Sequence, residues 1–375
     1  MMNIITETPM MSELNKIDWN FPNSVMHNSI HNMHPYPAKF IPEIPKNIIQ
    51  TLCVDKKYSI LDPFCGSGTT LIEAQRLGYT SVGIDLNPIA CLISKVKTNY
   101  LPRGLVEIAQ NCVLNARELK NPMIPEIPSL NHWFQNDIQK ALAALRETIA
   151  TYKETEFYDA LRLTLSAIIV RVSNQESDTR YAAIKKDVTP EALFDLFINS
   201  AIKLENTLTT EIECLPPSKI INKNILEVRS SDISLKVGAV ITSPPYPNAY
   251  EYWLYHKYRM WWLEFDPLFV KEKEIGARAH YFKKDSPTPN DFKKNMSQTF
   301  NLIRTVLIDG GYICFVIGRS KIHGEIINNA KLINAAANDN GFNLVYSTER
   351  KIAPSRKSFN LSHAKIKKES LLIFQ

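Results

Sequence analysis

The chain has 375 residues, 45% of them hydrophobic and 22% charged. That balance supports a sizeable buried core and excludes a disordered chain, a collagen-like repeat or a disulfide-dense miniprotein. The net charge of +6 is unevenly placed: residues 350–369 carry seven bases (Arg350, Lys351, Arg356, Lys357, Lys365, Lys367 and Lys368) against Glu369 alone, an excess equal to that of the whole chain. A basic segment on a near-neutral body suits contacts to a phosphate backbone, with Arg356, Lys357, Lys365 and Lys367 as the candidate residues. A solvated charged hairpin loop accounts for the same composition.

The six cysteines (53, 65, 91, 112, 214 and 314) show no C-x-x-C spacing. Free thiols in a reducing compartment fit them better than disulfides or a zinc site. The first residues lack a basic-then-apolar signal pattern. The apolar run Leu165 to Val172 is too short to span a bilayer and contains Arg171. A cytoplasmic protein with no membrane association is expected.

Residues 1–26 lack periodicity and read as a loose arm. His27, His31 and His34 follow. Their spacing offers a metal pair, but no carboxylate or cysteine lies nearby in sequence and Pro35 and Pro37 break any helix, so no metal site is expected. His34 to Phe40 (HPYPAKF) is an extended Pro-rich block.

Ser59 to Phe64 reads as a strand, Cys65-Gly66-Ser67-Gly68 as a tight turn, and Thr69 to Leu77 as a helix stopped by Gly78. Strand, glycine turn and helix form the first unit of a doubly wound sheet. The helix start offers free N–H groups to an anion. A second strand, Ser81 to Ile84, ends at Asp85, where an acid suits paired ribose hydroxyls. Leu71 replaces the third glycine of G-x-G-x-x-G and no P-loop is present, so dinucleotide and P-loop readings fail while an adenosine-type ligand remains.

A helix runs from Asn87-Pro88 to about Lys97. Residues from about 100 to 218 then break the strand–helix pattern. Helices are expected over 137–152, 158–173 and 190–208, with a polar loop at 173–180. The sheet resumes with a third strand, Ile225 to Val228, before Asp232, and a fourth over Val237 to Ile241. Thr242-Ser243-Pro244-Pro245-Tyr246 follows. Two prolines stop the ladder and freeze the backbone, leaving the Ser243 and Pro244 carbonyls as fixed acceptors beside the Tyr246 ring. Such a site suits a planar ring carrying an amino group; a core tyrosine after a Pro-Pro turn is the plainer reading.

In the aromatic cluster that follows, Leu254, Tyr258, Trp261 and Trp262 share a helical face and read as core, whereas Tyr250 and Tyr252 have no such explanation. Residues 264–295 read as a charged mobile loop. A helix over 291–308, a strand over 312–317, a helix over 323–340 and strands over 342–347 and 371–374 complete the pattern.

Three blocks, His34 to Phe40, Asp62-Pro63-Phe64-Cys65-Gly66-Ser67-Gly68-Thr69 and Thr242 to Tyr246, resemble those of bacterial S-adenosylmethionine-dependent DNA amino-methyltransferases of the restriction–modification type. The resemblance implies a class I, Rossmann-like, seven-stranded mostly parallel sheet with a helical insertion. The break in the strand–helix pattern, which matches no motif of that family, divides the chain into 1–100 (arm, cofactor block and first half of the sheet), 101–220 (helical insertion, a target-recognition candidate) and 221–375 (second half with the catalytic block and the basic hairpin loop). The resemblance also implies S-adenosylmethionine held by Tyr36, Ala38, Lys39, Phe40, Asp62, Phe64, Gly66, Gly68, Thr69, Asp85 and Asp232. Ser243, Pro244, Pro245 and Tyr246 are then catalytic, with double-stranded DNA as substrate and a separate cognate restriction endonuclease as partner. The S-P-P-Y form implies methylation of cytosine at N4. Adenine-N6 methylation, methylation of an RNA base amine and a catalytically silent nucleic-acid-binding protein are the competing readings.

Overall fold

The computed structural model describes residues 8–22, 24, 30–178, 180–209, 215–352 and 368–375. Seven strands form the central sheet: β1 (Ser59–Asp62), β2 (Ser81–Asp85), β3 (Ser218–Asn222), β4 (Val237–Thr242), β5 (Leu307–Gly318), β6 (Leu344–Lys351) and β7 (Lys368–Phe374). Their spatial order is β6-β7-β5-β4-β1-β2-β3, and only β7 runs against its neighbours. This is the expected doubly wound α/β plan. β1 and β4 are fully buried, as strands covered on both faces must be.

Period-2 alternation sorts the strand residues between two cores. Ile60, Ala239, Ile241, Cys314, Val316, Leu371 and Ile373 meet the helix Glu43–Leu52 on one face. Leu61, Val240, Ile313, Phe315, Ile317, Leu372 and Phe374 meet the helices Pro289–Val306 and Asn329–Asp339 on the other. Gly238 sits at a register shift in β4, where a Cβ would lie 2.2 Å from Val54 Cγ1 and 2.9 Å from Tyr58 Cβ. Gly238→Ala is therefore expected to cost about 1–3 kcal/mol by overpacking, read as a lowered midpoint in chemical denaturation.

A third core joins the inserted helices Leu105–Glu118, Asn136–Ala150, Tyr158–Val172 and Pro190–Thr209 to the sheet helix Pro88–Thr98 and to the helix Tyr252–Trp262. The insertion thus packs against elements from both halves of the sheet.

Several elements differ from expectation. The third strand is Ser218–Asn222; Ile225–Glu227 is a single 3-10 turn, begun by Asn224 Oδ1 accepting from the Leu226 N–H at 3.0 Å. Ile225 and Val228 are buried all the same, so their apolar character reflects packing and not a ladder. The expected loose arm contains the helix Pro9–Asn15, with Leu14 and Trp19 in the core. The polar loop at 173–180 is part of a hairpin, Gln175–Ser177 with Arg180–Ala183. The segment 264–295 is ordered by two capped starts, Asp266 before Pro267–Lys273 and Thr288 before Pro289–Val306. Residues 320–327 form a hairpin, so the expected helix at 323–340 spans only Asn329–Asp339.

Candidate active site

The strand order reverses between β1 and β4, and ligands bind open α/β sheets at such a point, beyond the carboxyl ends of the strands. A cavity of about 680 Å³ opens there. Its wall takes residues from the ends of four strands: Asp62 to Ser67 after β1, Asp85 to Asn87 after β2, Lys223 to Ile225 after β3 and Ser243 to Tyr246 after β4.

The glycine turn is held from several sides. Gly66 and Gly68 adopt φ of +49° and +77°, left-handed values that favour glycine. The Gly66 N–H donates to Asp85 Oδ2 at 2.9 Å, and Ser94 Oγ donates to the Gly66 carbonyl at 2.9 Å. Lys97, 1% exposed, donates to the Ser67 carbonyl at 2.7 Å. Gly68 begins the helix Thr69–Arg76, and no side chain caps that helix start.

Two carboxylates sit at the strand ends. The Thr242 hydroxyl donates to Asp62 Oδ1 at 2.6 Å, which ties β1 to the residue before the Ser-Pro-Pro-Tyr block. Asp85 Oδ1 accepts from the Asn87 N–H at 2.8 Å. Burial pushes each carboxyl up to about 6. An ionised carboxylate has about four acceptor positions, so Asp85 retains capacity toward a ligand.

The HPYPAKF block lies across the cavity. Tyr36 stacks on His256 and Tyr252, with ring centroids 5.2 and 5.9 Å apart. His34 Nε2 meets Ser166 Oγ of the insertion at 3.0 Å, and Arg259 Nε donates to the Ser166 carbonyl at 3.0 Å. Arg259 also pairs with Asp178 in the hairpin. Lys39 Nζ donates to the His34 carbonyl and to Asn32 Oδ1, both at 3.0 Å, and desolvation pulls it down to about 8. His31 meets Glu73 at 2.8 Å. No group of three metal-ligating side chains forms among the described residues, and His27 lies outside them.

Tyr36, Ala38, Lys39, Phe40, Asp62, Phe64, Gly66, Thr69, Asp85, Ser243, Pro244, Pro245 and Tyr246 all line this one cavity. Gly68 acts from behind, as the turn that starts the helix. Asp232 is elsewhere. It sits in the short helix Ser230–Ile233, accepts from the Arg229 N–H at 2.8 Å and pairs with Lys223 at 2.9 Å. The third-strand acid is thus a helix cap, because the strand expected at Ile225 to Val228 does not form and β3 ends at Asn222. Asn224 and Ile225 line the wall there instead. Arg356, Lys357, Lys365 and Lys367 lie outside the described residues. Arg350, counted among the basic excess, is 3% exposed and paired with Glu369.

Tyr250 and Tyr252, the aromatics without a core explanation, also line the cavity. So does Glu274, from the segment read as a mobile loop. Its carboxylate accepts from the N–H groups of Tyr252 and Trp253 at 3.0 and 2.8 Å. Burial pushes Glu274 up to about 8 against those two donors. The folded protein therefore holds a proton that the unfolded chain releases near pH 4.3. The associated stability is full below that pH and is lost as pH rises toward 8. Glu274→Gln is expected to flatten the fall of melting temperature between about pH 6 and 8, measured by calorimetry.

Residues 8–96 match the family profile described as DNA methylase, of the N6/N4 group. The chain is 26% identical to the type II methyltransferase M.MvaI of Kocuria varians over 242 residues, 58% of this chain and 53% of that protein. It is 27% identical to the type II methyltransferase M.BsoBI of Geobacillus stearothermophilus over 280 residues, 66% of this chain and 54% of that one. The chain thus spans about half the length of these relatives. The matched segment contains the HPYPAKF block, the glycine turn and Asp85, the parts that form one wall of the cavity. By this match, and by the Ser-Pro-Pro-Tyr block facing that wall, the chain is similar to DNA methylases of the N6/N4 group.

Proposed function

We propose that the protein is a site-specific DNA methyltransferase that uses S-adenosylmethionine to methylate the exocyclic N4 amine of a cytosine flipped out of duplex DNA. The observation that carries this reading is that the Ser243-Pro244-Pro245-Tyr246 block opens into the same cavity as the glycine turn and Asp85. The residues fit the cofactor: two positive-φ glycines allow close backbone approach, an uncapped helix start suits a carboxylate, and Asp85 keeps free acceptor positions for ribose hydroxyls. Tyr36 and Lys39 would flank the methionine end, and Asn224 and Ile225 would meet the adenine in place of Asp232. When bound, the cofactor supplies an electrophilic methyl on a sulfonium.

The rest is positioning by this chain. The amino group of cytosine has its lone pair delocalised into the ring. The carbonyls of Ser243 and Pro244 accept its two hydrogens and favour the tetrahedral nitrogen, with the Ser243 hydroxyl beside them. Tyr246 offers its ring to the flipped base, which offsets part of an unstacking cost of a few kcal/mol. No covalent enzyme intermediate is required. Burial holds the Cys65 thiol well above its usual range, which leaves it protonated and unsuited to attack.

In this reading the inserted segment supplies target-reading surface. Its hairpin carries exposed Arg180, and Lys257 Nζ lies 4.8 Å from the Tyr181 ring centroid. The segment 353–367 contacts the phosphate backbone, and a separate nuclease of the same specificity completes a restriction–modification pair. The test is mass spectrometry of nucleosides from duplex DNA treated with the protein and labelled cofactor. N4-methylcytosine supports the assignment. N6-methyladenine moves it to adenine, the reading the family profile leaves open, and no methylated base overturns it.

A further inference from the structure

Tyr246 is held at both ends. Its backbone follows Pro245, and its hydroxyl donates to Glu369 Oε1 at 2.8 Å. The other oxygen of Glu369 pairs with Arg350, whose Nε donates to the Trp19 carbonyl at 2.8 Å. Glu369 and Arg350 are register partners on the adjacent strands β7 and β6. All three side chains border the cavity that Ser243 lines, and both Tyr246 (7%) and Arg350 (3%) are nearly buried.

The sheet does not need this ion pair. β6 and β7 are already joined by seven register pairs. Desolvating an arginine and a carboxylate costs about as much as their attraction returns, so an apolar pair would serve the sheet as well. What the pair does supply is direction. With a donor on each oxygen, the Glu369 carboxylate cannot turn away. A phenol bonded to it cannot swing its ring about the side-chain torsions without breaking a charge-assisted hydrogen bond.

We propose that Glu369, locked by Arg350, is a positioning residue that fixes the Tyr246 ring relative to the Ser243 and Pro244 carbonyls. This rests on the reading of Tyr246 as the ring that meets the target base. Trp19 extends the chain of contacts to the N-terminal segment, so the aim of the catalytic block depends on residues more than 200 positions away in sequence.

The experiment is a double-mutant cycle on the full chain, with kcat and the KM for DNA and for cofactor read separately. Tyr246→Phe keeps the ring and removes the hydroxyl, and with it the tether to Glu369 and the contact with the Ser243 side chain. Glu369→Ala removes the acceptor. Each is expected to lower kcat about tenfold, the scale of one hydrogen bond to a charged group, with the cofactor KM unchanged. The double variant is expected to be no worse than the poorer single, since both changes break one bond. A double loss near a hundredfold, the product of two independent effects, would overturn the proposal. So would wild-type kcat in either single variant. Glu369→Ala leaves Arg350 buried and unpaired, so Arg350→Met combined with Glu369→Leu serves where folding fails; it is expected to reproduce the kcat loss, and wild-type kcat there also overturns the proposal. Absence of methyl transfer by the wild-type protein would instead remove the reading of the site on which the proposal rests.

Discussion

Tyr246→Ala is expected to lower methyl transfer to duplex DNA by about ten- to a hundredfold while cofactor affinity changes little. The magnitude follows from the stacking of a base on an aromatic ring, about 1–3 kcal/mol by alanine substitution. The ring lines the cavity on the β4 side, across from the glycine turn, so its loss leaves the wall of Asp62, Gly66 and Asp85 in place. Single-turnover methylation and calorimetric titration with the cofactor separate the two effects. Undiminished transfer by the variant would remove the stacking role.

Gly68→Ala is expected to act in the opposite sense, weakening cofactor binding by about ten- to a hundredfold. Two costs combine. The residue must hold φ at +77°, a strain of about 1–3 kcal/mol for a non-glycine residue. Its new Cβ would also lie 2.7 Å from Ser94 Oγ and 3.2 Å from Ser94 Cα, a backbone atom that cannot step aside cheaply. Ser94 is the residue whose hydroxyl bonds the Gly66 carbonyl, so displacing it loosens the turn from below. Calorimetric titration with the cofactor measures the loss directly, and cofactor binding at wild-type strength would show that the turn tolerates the shift.

The parts of the fold that were legible in the sequence are those with local signals. β1, β2 and β4 are short apolar runs followed by a glycine turn, an acid and a Pro-Pro stop, and each falls where those signals put it. β3 was misplaced because its residues, Ser-Lys-Ile-Ile-Asn, form a half-exposed edge strand with little apolar contrast, whereas Ile225 and Val228 are apolar for packing reasons. The starts at Asp266-Pro267 and Thr288-Pro289 carry cap signals that a reading of the segment by its charge alone passes over. Glu274 could not be read as a cavity residue, because its burial depends on Tyr252 and Trp253 folding over it. Arg350 and Glu369 read as members of a charged loop; only strand register brings them together.

The position of the insertion has a consequence for how the site comes into being. β1 and β4 are hydrogen-bonded neighbours, yet more than 170 residues separate them, and the glycine turn belongs to one while the Ser-Pro-Pro-Tyr block belongs to the other. Contacts of such high sequence separation form slowly, because loop closure precedes any gain from pairing. The intervening helices pack chiefly on one another, across shorter stretches of chain than the one that separates β1 from β4. A compact spacer shortens the distance the chain must search, and Ser166 of the insertion meets both His34 of the HPYPAKF block and Arg259. In the folded protein the insertion is a compact spacer between the two strands whose ends form the two walls of the site.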